Sequence, residues 1–232
     1  MGAIKVMEVA AGKTVKVAGM MWVVLDHIEG KGTLCLMEDI LEERAFHNED
    51  KEGCNNWANS SLREYLNSEF AARLLDRQLA EMEVDLTSDD GMKNYGKTKD
   101  YIALLTADQY RKYREFIPSA DDWWWLVTPW TCNSANSCYV RSVGAGGALN
   151  HYHACNGGDG VRPALIFKES VIADDDNPAE RSEADIKDWK EVEESAAKAL
   201  AELDEMADSI ESYKDTITDL LNSIRDRTRN KK

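Results

Sequence analysis

Short stretches of alternating or continuous apolar residues, separated by glycine-containing turns, fill the first part of the chain. A spacing of this kind is typical of β-strands, because successive side chains of a strand point to opposite faces. Four strands are therefore predicted, at IKVMEV (4–9), TVKVAG (14–19), MMWVVLDHI (20–28) and GTLCLM (32–37).

The apolar spacing changes to a helical one after residue 60. Leu62, Leu66 and Phe70 fall on one face of a helix for which Ser60 is a suitable N-cap. A second helix is expected around 70–82, a loop over 87–99, and a third helix from Ala107 to Phe116, before Pro118. Further buried strands are predicted at YIALLT (101–106), WWWLV (123–127) and 161–167.

Groups of strands around two or three helices predict an α+β domain with a mostly antiparallel sheet, over residues 1–170. Within its last strand, Arg162 precedes Pro163 between apolar residues, so its guanidinium should be buried against a carboxylate or carbonyls and have no catalytic role. An acidic linker is predicted at 171–185, where Asp174-Asp175-Asp176-Asn177-Pro178 has the composition of a loop.

A heptad pattern follows the linker and predicts a long coiled-coil-type helix over 186–228. Two series of apolar residues supply its 3-4 spacing: Trp189, Ala196, Leu203, Ile210, Ile217 and Ile224, and Val192, Ala199, Met206, Tyr213 and Leu220. An isolated helix cannot bury such a stripe by itself. Either the helix self-associates into a homo-oligomer, which we favour, or it folds back on its own domain.

Charge and cysteine content exclude several classes of protein. The formal net charge of -15 argues against nucleic-acid binding, which needs clustered Lys and Arg. No segment is apolar enough for membrane insertion, and the N-terminus lacks the pattern of a signal peptide. Five cysteines without a CxxC pair fit a reducing compartment. The chain is therefore expected to be made in the cytoplasm, and display on a virion or cell surface would need another export route.

Five motifs in one order resemble a known family. They are Trp22-Val23-Val24-Leu25-Asp26, then Trp57-x-x-Ser60-x-Leu62-Arg63-x-x-Leu66-Asn67, then Tyr101-Ile102-Ala103-Leu104-Leu105, then Trp124-Trp125-Leu126-x-Thr128-Pro129, and finally Gly160-Val161-Arg162-Pro163-Ala164-Leu165. Together they resemble gut-bacterial and phage domains similar to the formylglycine-generating-enzyme branch of the C-type lectin fold. That branch includes the variable proteins of diversity-generating retroelements, in which a reverse transcriptase rewrites adenines in one gene segment. The resemblance covers residues 15–168.

What the resemblance implies is a C-type-lectin-like domain that binds a ligand without catalysis, through a hypervariable surface. The composition of residues 131–159 agrees with this expectation. An Asn codon ending in C or T cannot become Lys, Glu, Gln, Met or Trp by changes at its adenines, and none of these five residues occurs there. An ordinary loop region rich in Gly, Asn and Ser would also avoid Lys and Glu, so this simpler interpretation stays open.

The candidate ligand-binding residues are the polar and aromatic side chains of this segment, which resemble an antibody paratope in composition. They are Thr131, Asn133, Asn136, Tyr139, Arg141, His151, Tyr152, His153, Asn156 and Asp159. Val140 and Val143 are expected to point inward, and the glycines at 144, 146 and 147 to form a turn. The expected partner is a protein or cell-surface ligand.

Three other functions compete with this hypothesis. His151, His153 and Cys155, with Cys132 or Cys138, could bind zinc, although their spacing fits no familiar metal motif. The fold relative suggests a copper-dependent oxidase with a reactive cysteine pair, although no cysteine here matches that enzyme's motif. The chain could also be a purely structural oligomer. We predict no cofactor and no metal.

Overall fold

The described residues of this computed structural model are 4–74 and 78–174, together with Lys198, Tyr213, Lys214 and Ile217. The chain divides into two compact units, residues 1–175 and 176–232. Most of the predicted acidic linker and all but those four positions of the predicted helix 186–228 lie outside the described residues. Each of the four has helical backbone geometry.

The first unit contains thirteen strands among its described residues, numbered here in chain order. They are β1 (Thr14–Val17), β2 (Met20–Ile28), β3 (Gly32–Met37), β4 (Glu42–Glu43), β5 (Leu79–Ala80), β6 (Met82–Asp85), β7 (Lys97–Asp100), β8 (Ile102–Ala103), β9 (Trp124–Pro129), β10 (Tyr139–Val143), β11 (Leu149–His153), β12 (Gly160–Val161) and β13 (Ala164–Phe167). The α-helices are α1 (Ser61–Tyr65) and α2 (Ala107–Tyr113).

The strands form two principal sheets and one separate ribbon. A six-stranded sheet has the order β1-β2-β3-β13-β5, with β8 also paired to β13, and a five-stranded sheet has the order β11-β10-β9-β12-β4. Strands β6 and β7 pair with each other. The pair β12–β9 is parallel and the other strand pairs are antiparallel, which confirms the predicted α+β class with a mostly antiparallel sheet.

The chain crosses from one sheet to the other at Arg162-Pro163, between β12 and β13. Arg162 is fully buried, and its guanidinium donates to the carbonyls of Met37, Glu38 and Pro118 at 3.2, 2.6 and 3.3 Å. It also lies 4.7 Å from the ring centre of Trp124. The prediction that carbonyls hold this side chain is confirmed. Burial lowers the Arg162 pKa to about 10, which still leaves the group charged at neutral pH.

Several local predictions are also confirmed. Strands β1, β2 and β3 lie within the three predicted segments. Ser60 caps α1 by accepting a hydrogen bond from the Arg63 amide, and α2 begins at the predicted Ala107 behind a capping box formed by Thr106 and Gln109.

Two predicted elements are wrong. The segment 4–9 holds a 3-10 helix, Val6–Glu8, instead of a strand. The described residues of the segment 70–82 do not form the predicted helix: a π-helical turn, Leu66–Phe70, and a 3-10 turn, Ala71–Arg73, precede strands β5 and β6. Along β6 the buried residues Met82 and Val84 alternate with exposed ones, so the two-residue period prevails over helix propensity there.

The C-terminal end of this unit extends beyond the predicted domain boundary at 170. The Val6 amide donates to the Val171 carbonyl, and a β-bridge joins Lys5 to Ile172. The Asp174 carboxylate then accepts from the amides of Ala18 and Gly19. Those two residues form the β1–β2 turn, and both have positive φ, as a two-residue hairpin turn requires. The first residues of the predicted linker therefore belong to the domain.

Replacing Arg162 by Lys should destabilise the domain, because an ammonium cannot reproduce three planar donors and the stacking on Trp124. The free energy of unfolding should fall by roughly 2–4 kcal/mol, as expected when a buried charge loses its partners. Chemical denaturation followed by tryptophan fluorescence measures the change. The control Arg73→Lys, at an exposed position, should leave the midpoint where it is. Equal midpoints for Arg162→Lys and the wild type would contradict this account.

Candidate functional site

The candidate segment 131–159 is built around a hairpin of β10 and β11, and is not a loop throughout. Its turn is closed by the Gly147 amide donating to the Gly144 carbonyl at 2.7 Å, and Gly147 has a φ of 78°. A side chain at 147 would therefore be strained, which confirms the predicted role of this glycine in a turn.

The inward side of the hairpin is part of the core. Val140 and Val143 are buried, as predicted, and β10 pairs with β9 through Val140 opposite Pro129 and Val143 opposite Trp124. Ser142 is also fully buried. The backbone of β10 is thus fixed on one side by a central strand of the five-stranded sheet.

Four predicted contact residues share the outward face of the hairpin. Tyr139 pairs with His153 and Arg141 with His151, and directly opposite residues of an antiparallel pair point to the same face. The Tyr139 ring lies edge-on to both imidazoles, with centroids 5.5 Å from His151 and 5.4 Å from His153. The structure therefore brings Tyr139, Arg141, His151 and His153 together, and we call them the hairpin face.

Trp130 completes the hairpin face, although the sequence prediction omitted it. Its ring centre is 4.1 Å from that of His151 and 4.4 Å from the guanidinium carbon of Arg141. The tryptophan directly after Pro129, where β9 ends, is a sequence signal that could have identified it, because Trp combines a large apolar ring with a hydrogen-bonding N–H and is enriched at interfaces.

Asp89 neutralises the charge of the hairpin face. Arg141 donates to one carboxylate oxygen of Asp89, and Arg111 lies 3.0 Å from the other. Burial alone would raise the Asp89 pKa, but the hydrogen bonds from Arg141 and Arg111 outweigh it and lower the pKa below its ordinary value. Because the Arg141 side chain is only 14% exposed, it offers a ligand an edge of its guanidinium and not a free cation.

The other predicted contact residues lie around this face in different settings. Tyr152 pairs with Val140 and so points to the opposite side of β11, where it is 41% exposed and 6.3 Å from the Trp125 ring. Asn133, Asn136 and Asn156 are exposed at the two ends of the segment.

Two predicted contact residues are buried and do not face solvent. Thr131 is 6% exposed; its hydroxyl accepts from the Asn133 amide and its carbonyl accepts from the Asn55 side chain. Asp159 is 4% exposed. These two predictions of surface contacts therefore need correction: Thr131 serves the backbone instead of a ligand, and the Asp159 side chain is buried against the domain.

Asn55, another residue that the sequence prediction omitted, holds the segment in place. It is fully buried, and its amide nitrogen donates to the carbonyls of Thr131 and Tyr139, each at 2.9 Å. Its side-chain oxygen accepts from the Tyr95 hydroxyl at 2.8 Å. This buried amide fixes both the entry to the segment and the start of β10 without using any of its outward side chains.

Asp159 is unusual because its carboxylate is buried with few hydrogen bonds to replace those of water. Its Oδ2 and the Ser142 Oγ are both buried, and neither has a hydrogen-bond partner in the part of the chain that the structure describes. Burial raises the Asp159 pKa to about 6, because loss of solvent penalises the ionised carboxyl group. The carboxyl group therefore destabilises the folded chain when it is ionised.

Two groups of metal-capable donors lie beside the hairpin. Asp50, Cys54 and Cys155 form one, and Asp50, Cys138 and His153 the other. His151 and Cys132, which the sequence suggested as donors, belong to neither group. Burial raises the pKa values of all three thiols, that of Cys138 to about 11.

Comparison with known proteins adds one finding. The sequence profile of a family described as a domain of unknown function, DUF6273, matches residues 78–169, a range that contains β5 to β13 and the whole hairpin. No curated protein and no solved structure gives a significant match.

Replacing Asp159 by Asn should stabilise the domain near neutral pH and have little effect in acid. A folded-state pKa raised to about 6 means that the wild type loses stability as pH rises from the unfolded value of 3.8 through 6. The loss should approach roughly 3 kcal/mol, and the uncharged amide avoids it. Denaturation at about pH 7.5 and about pH 4 measures the difference.

Asp121→Asn, which removes an exposed carboxylate, is the matched control and should show no such pH-dependent difference. A stability gap between the wild type and Asp159→Asn that is the same at both pH values would rule out the raised pKa as its cause.

Proposed function

We propose that this chain is a non-catalytic binding protein that presents a diversified surface, within residues 131–159, to a protein or cell-surface ligand. The framework we propose is a C-type-lectin-like domain of the formylglycine-generating-enzyme branch.

None of the helices among the described residues is both long enough and apolar enough to span a membrane.

The arrangement of the hairpin carries this proposal. Its backbone is fixed by pairing with β9 and by the Asn55 amide, whereas the side chains of the hairpin face contact mainly one another, Trp130 and Asp89. A surface built in this way tolerates exchange of side chains, because its folding depends on groups that lie behind it.

The chemistry of the hairpin face suits recognition of a protein or a polar cell-surface ligand. Aromatic rings, imidazoles and one guanidinium edge provide flat apolar area together with hydrogen-bond donors and acceptors, at a small cost in side-chain entropy. Tyr152, Asn133, Asn136 and Asn156 would extend the surface around the hairpin.

The lectin-like framework is supported by how the unit is closed. Its two ends meet, since Lys5 bridges Ile172 and the Val6 amide donates to Val171, and its long irregular segments are held by antiparallel sheets. A closed frame with long loops is a suitable carrier for variable side chains.

A non-catalytic role is supported by the thiols beside the hairpin. An oxidase with a cysteine nucleophile needs a thiolate near neutral pH. Burial acts in the opposite direction here, since it raises the pKa values of Cys54, Cys138 and Cys155.

The predicted C-terminal helix is proposed to make the chain a homo-oligomer. Tyr213 and Ile217, which fall on the two predicted seam series, are helical and 71% and 57% exposed. Exposed apolar residues four positions apart on a helix favour packing against another helix. Several copies of the surface on one particle would increase its apparent affinity.

The gene's DNA tests the diversification directly. We expect codons ending in C or T at the exposed positions of 131–159, together with a near-identical repeat nearby that differs only at adenines. A genome without such a repeat would remove the retroelement from the proposal.

The domain should also remain folded when several exposed residues of 131–159 are replaced at once. A triple variant, His151→Asn, Tyr152→Ser and Asn156→Ser, should change the free energy of unfolding by less than about 1 kcal/mol, because surface substitutions are usually small in effect. Val140→Ser, at the buried position opposite Tyr152, should instead cost about 3 kcal/mol. Denaturation curves compare the two, and a triple variant as unstable as Val140→Ser would show that this surface is structural.

A further inference from the structure

Three cysteines from distant parts of the sequence converge beside the hairpin. Cys54 lies in the segment before the 3-10 helix Trp57–Asn59, Cys138 directly precedes β10, and Cys155 follows β11. With His153 and Asp50 they form what we call the thiol cluster. Cys54 is the decisive member, because it lies outside the variable segment and is almost fully buried.

The donor atoms of the thiol cluster form two overlapping triads that share Asp50. Those of Asp50, Cys54 and Cys155 lie within 4.8 Å of one another, and the same holds for Asp50, Cys138 and His153. The Asp50 carboxylate thus borders all four other donors. A zinc ion bonded to all four cysteine and histidine donors, at about 2.3 Å to sulfur and about 2.1 Å to nitrogen, would require the two triads to move towards each other.

The segment that carries Cys54 has little regular structure of its own. Residues 44–56 connect β4 to the 3-10 helix, and they are attached to the hairpin by a few bonds. The His47 amide donates to the Ala154 carbonyl, the Gly53 amide to the Ser137 hydroxyl and the Asn55 amide to the Ser137 carbonyl. Irregular segments of this length are commonly either functional or held by an additional link.

We propose that the thiol cluster is a structural zinc site in which Cys54, Cys138, Cys155 and His153 are the four ligands. Three thiolates and one imidazole are a donor set that zinc prefers in closed, four-coordinate structural sites. The ion itself would deprotonate the three thiols, whose pKa values burial raises in its absence. The sequence-based expectation of no metal did not include Cys54, because nothing in its spacing connects it to the other three.

Asp50 has a positioning role in this site. Its carboxylate lies 3.6 Å from Nε2 of His153, and its side chain is 72% exposed. A carboxylate that holds a ligating imidazole through its second ring nitrogen is a common arrangement around zinc. Nδ1 of His153 would then face the ion.

The site would fasten the segment 44–56 to both ends of the hairpin. It would also make Cys138, His153 and Cys155 constant positions within the segment that we propose to be variable. The proposal stands without the proposed ligand binding, since a zinc site here would hold the hairpin whatever its outward side chains recognise.

Metal analysis of the full chain, made without a polyhistidine tag in zinc-supplemented cells, tests the proposal. We expect about one zinc per chain by elemental analysis, and a Co(II)-substituted sample with the intense thiolate-to-cobalt absorption and the visible bands of a tetrahedral ion. Chelation should lower the melting temperature, and adding zinc should restore it, because binding energy of a structural ion is folding energy.

Cys54→Ser and Cys155→Ser should each reduce the bound zinc to below about 0.1 equivalent under mild chelation and remove most of the cobalt–thiolate band. Cys132→Ser is the matched control, since this partly exposed cysteine of the same segment belongs to neither donor group, and it should retain a full equivalent. Asp50→Asn should weaken zinc binding about 10- to 100-fold without abolishing it.

A titration of Co(II) into wild-type chain from which zinc has been removed by a chelator tests the site without any variant, so its result does not depend on whether the variants fold. Failure of the folded, reduced chain to develop the thiolate band would overturn the proposal. So would equal zinc loss from Cys132→Ser and Cys54→Ser, or a Cys54–Cys138 or Cys54–Cys155 disulfide found by mass spectrometry in the freshly isolated chain.

Discussion

The buried guanidinium of Arg162 is the interaction on which the arrangement of this domain depends. It lies where the chain leaves the five-stranded sheet for the six-stranded one. Carbonyls at the end of β3 and in the segment after α2 accept its hydrogen bonds. Among the described residues only carbonyls accept hydrogen bonds from this buried cation, so it is stable only if those carbonyls stay in place. The crossing therefore fixes the end of β3, the segment after α2 and the ring of Trp124 relative to one another. Gly160, in β12, also constrains this region. It lies so close to the Ile40 side chain that a Cβ at position 160 would come within 2.6 Å of it.

The hairpin derives its rigidity from that frame through β9. Trp124 stacks near Arg162 and begins the strand on which β10 is paired, so the register of β10 is set from behind. Asn55 adds a second constraint at the other end of the same strand. Neither constraint involves an outward side chain. This separation between the groups that determine the fold and the groups that face solvent is the physical condition for a surface whose chemistry can change.

Local patterns predicted part of this structure, and tertiary contacts decided the rest. The alternation in β2 and β3, the cap of Ser60 and the burial of Arg162 next to Pro163 are all visible in short windows of sequence. The segment 70–82 was mistaken for a helix because its composition favours one, whereas β5 pairs with β13, which lies far away in the chain. Trp130, Asp89, Asn55 and Cys54 were not predicted as parts of the site for a related reason. Each reaches the hairpin from a different connection, and no spacing along the sequence records that convergence.

The two proposals impose opposite demands on one segment, and the geometry of the hairpin makes them compatible. Binding needs side chains that can be exchanged, whereas a zinc site needs Cys138, His153 and Cys155 to stay constant. The metal donors lie at the open end of the hairpin, where Cys138 precedes β10 and His153 ends β11. Arg141, His151 and Tyr152 lie further along the strands, where the pairing of β10 with β9 already supports the backbone. An ion at the open end would hold the start of β10 and the end of β11 together, so constancy of the metal donors there would be compatible with variation along the rest of the hairpin.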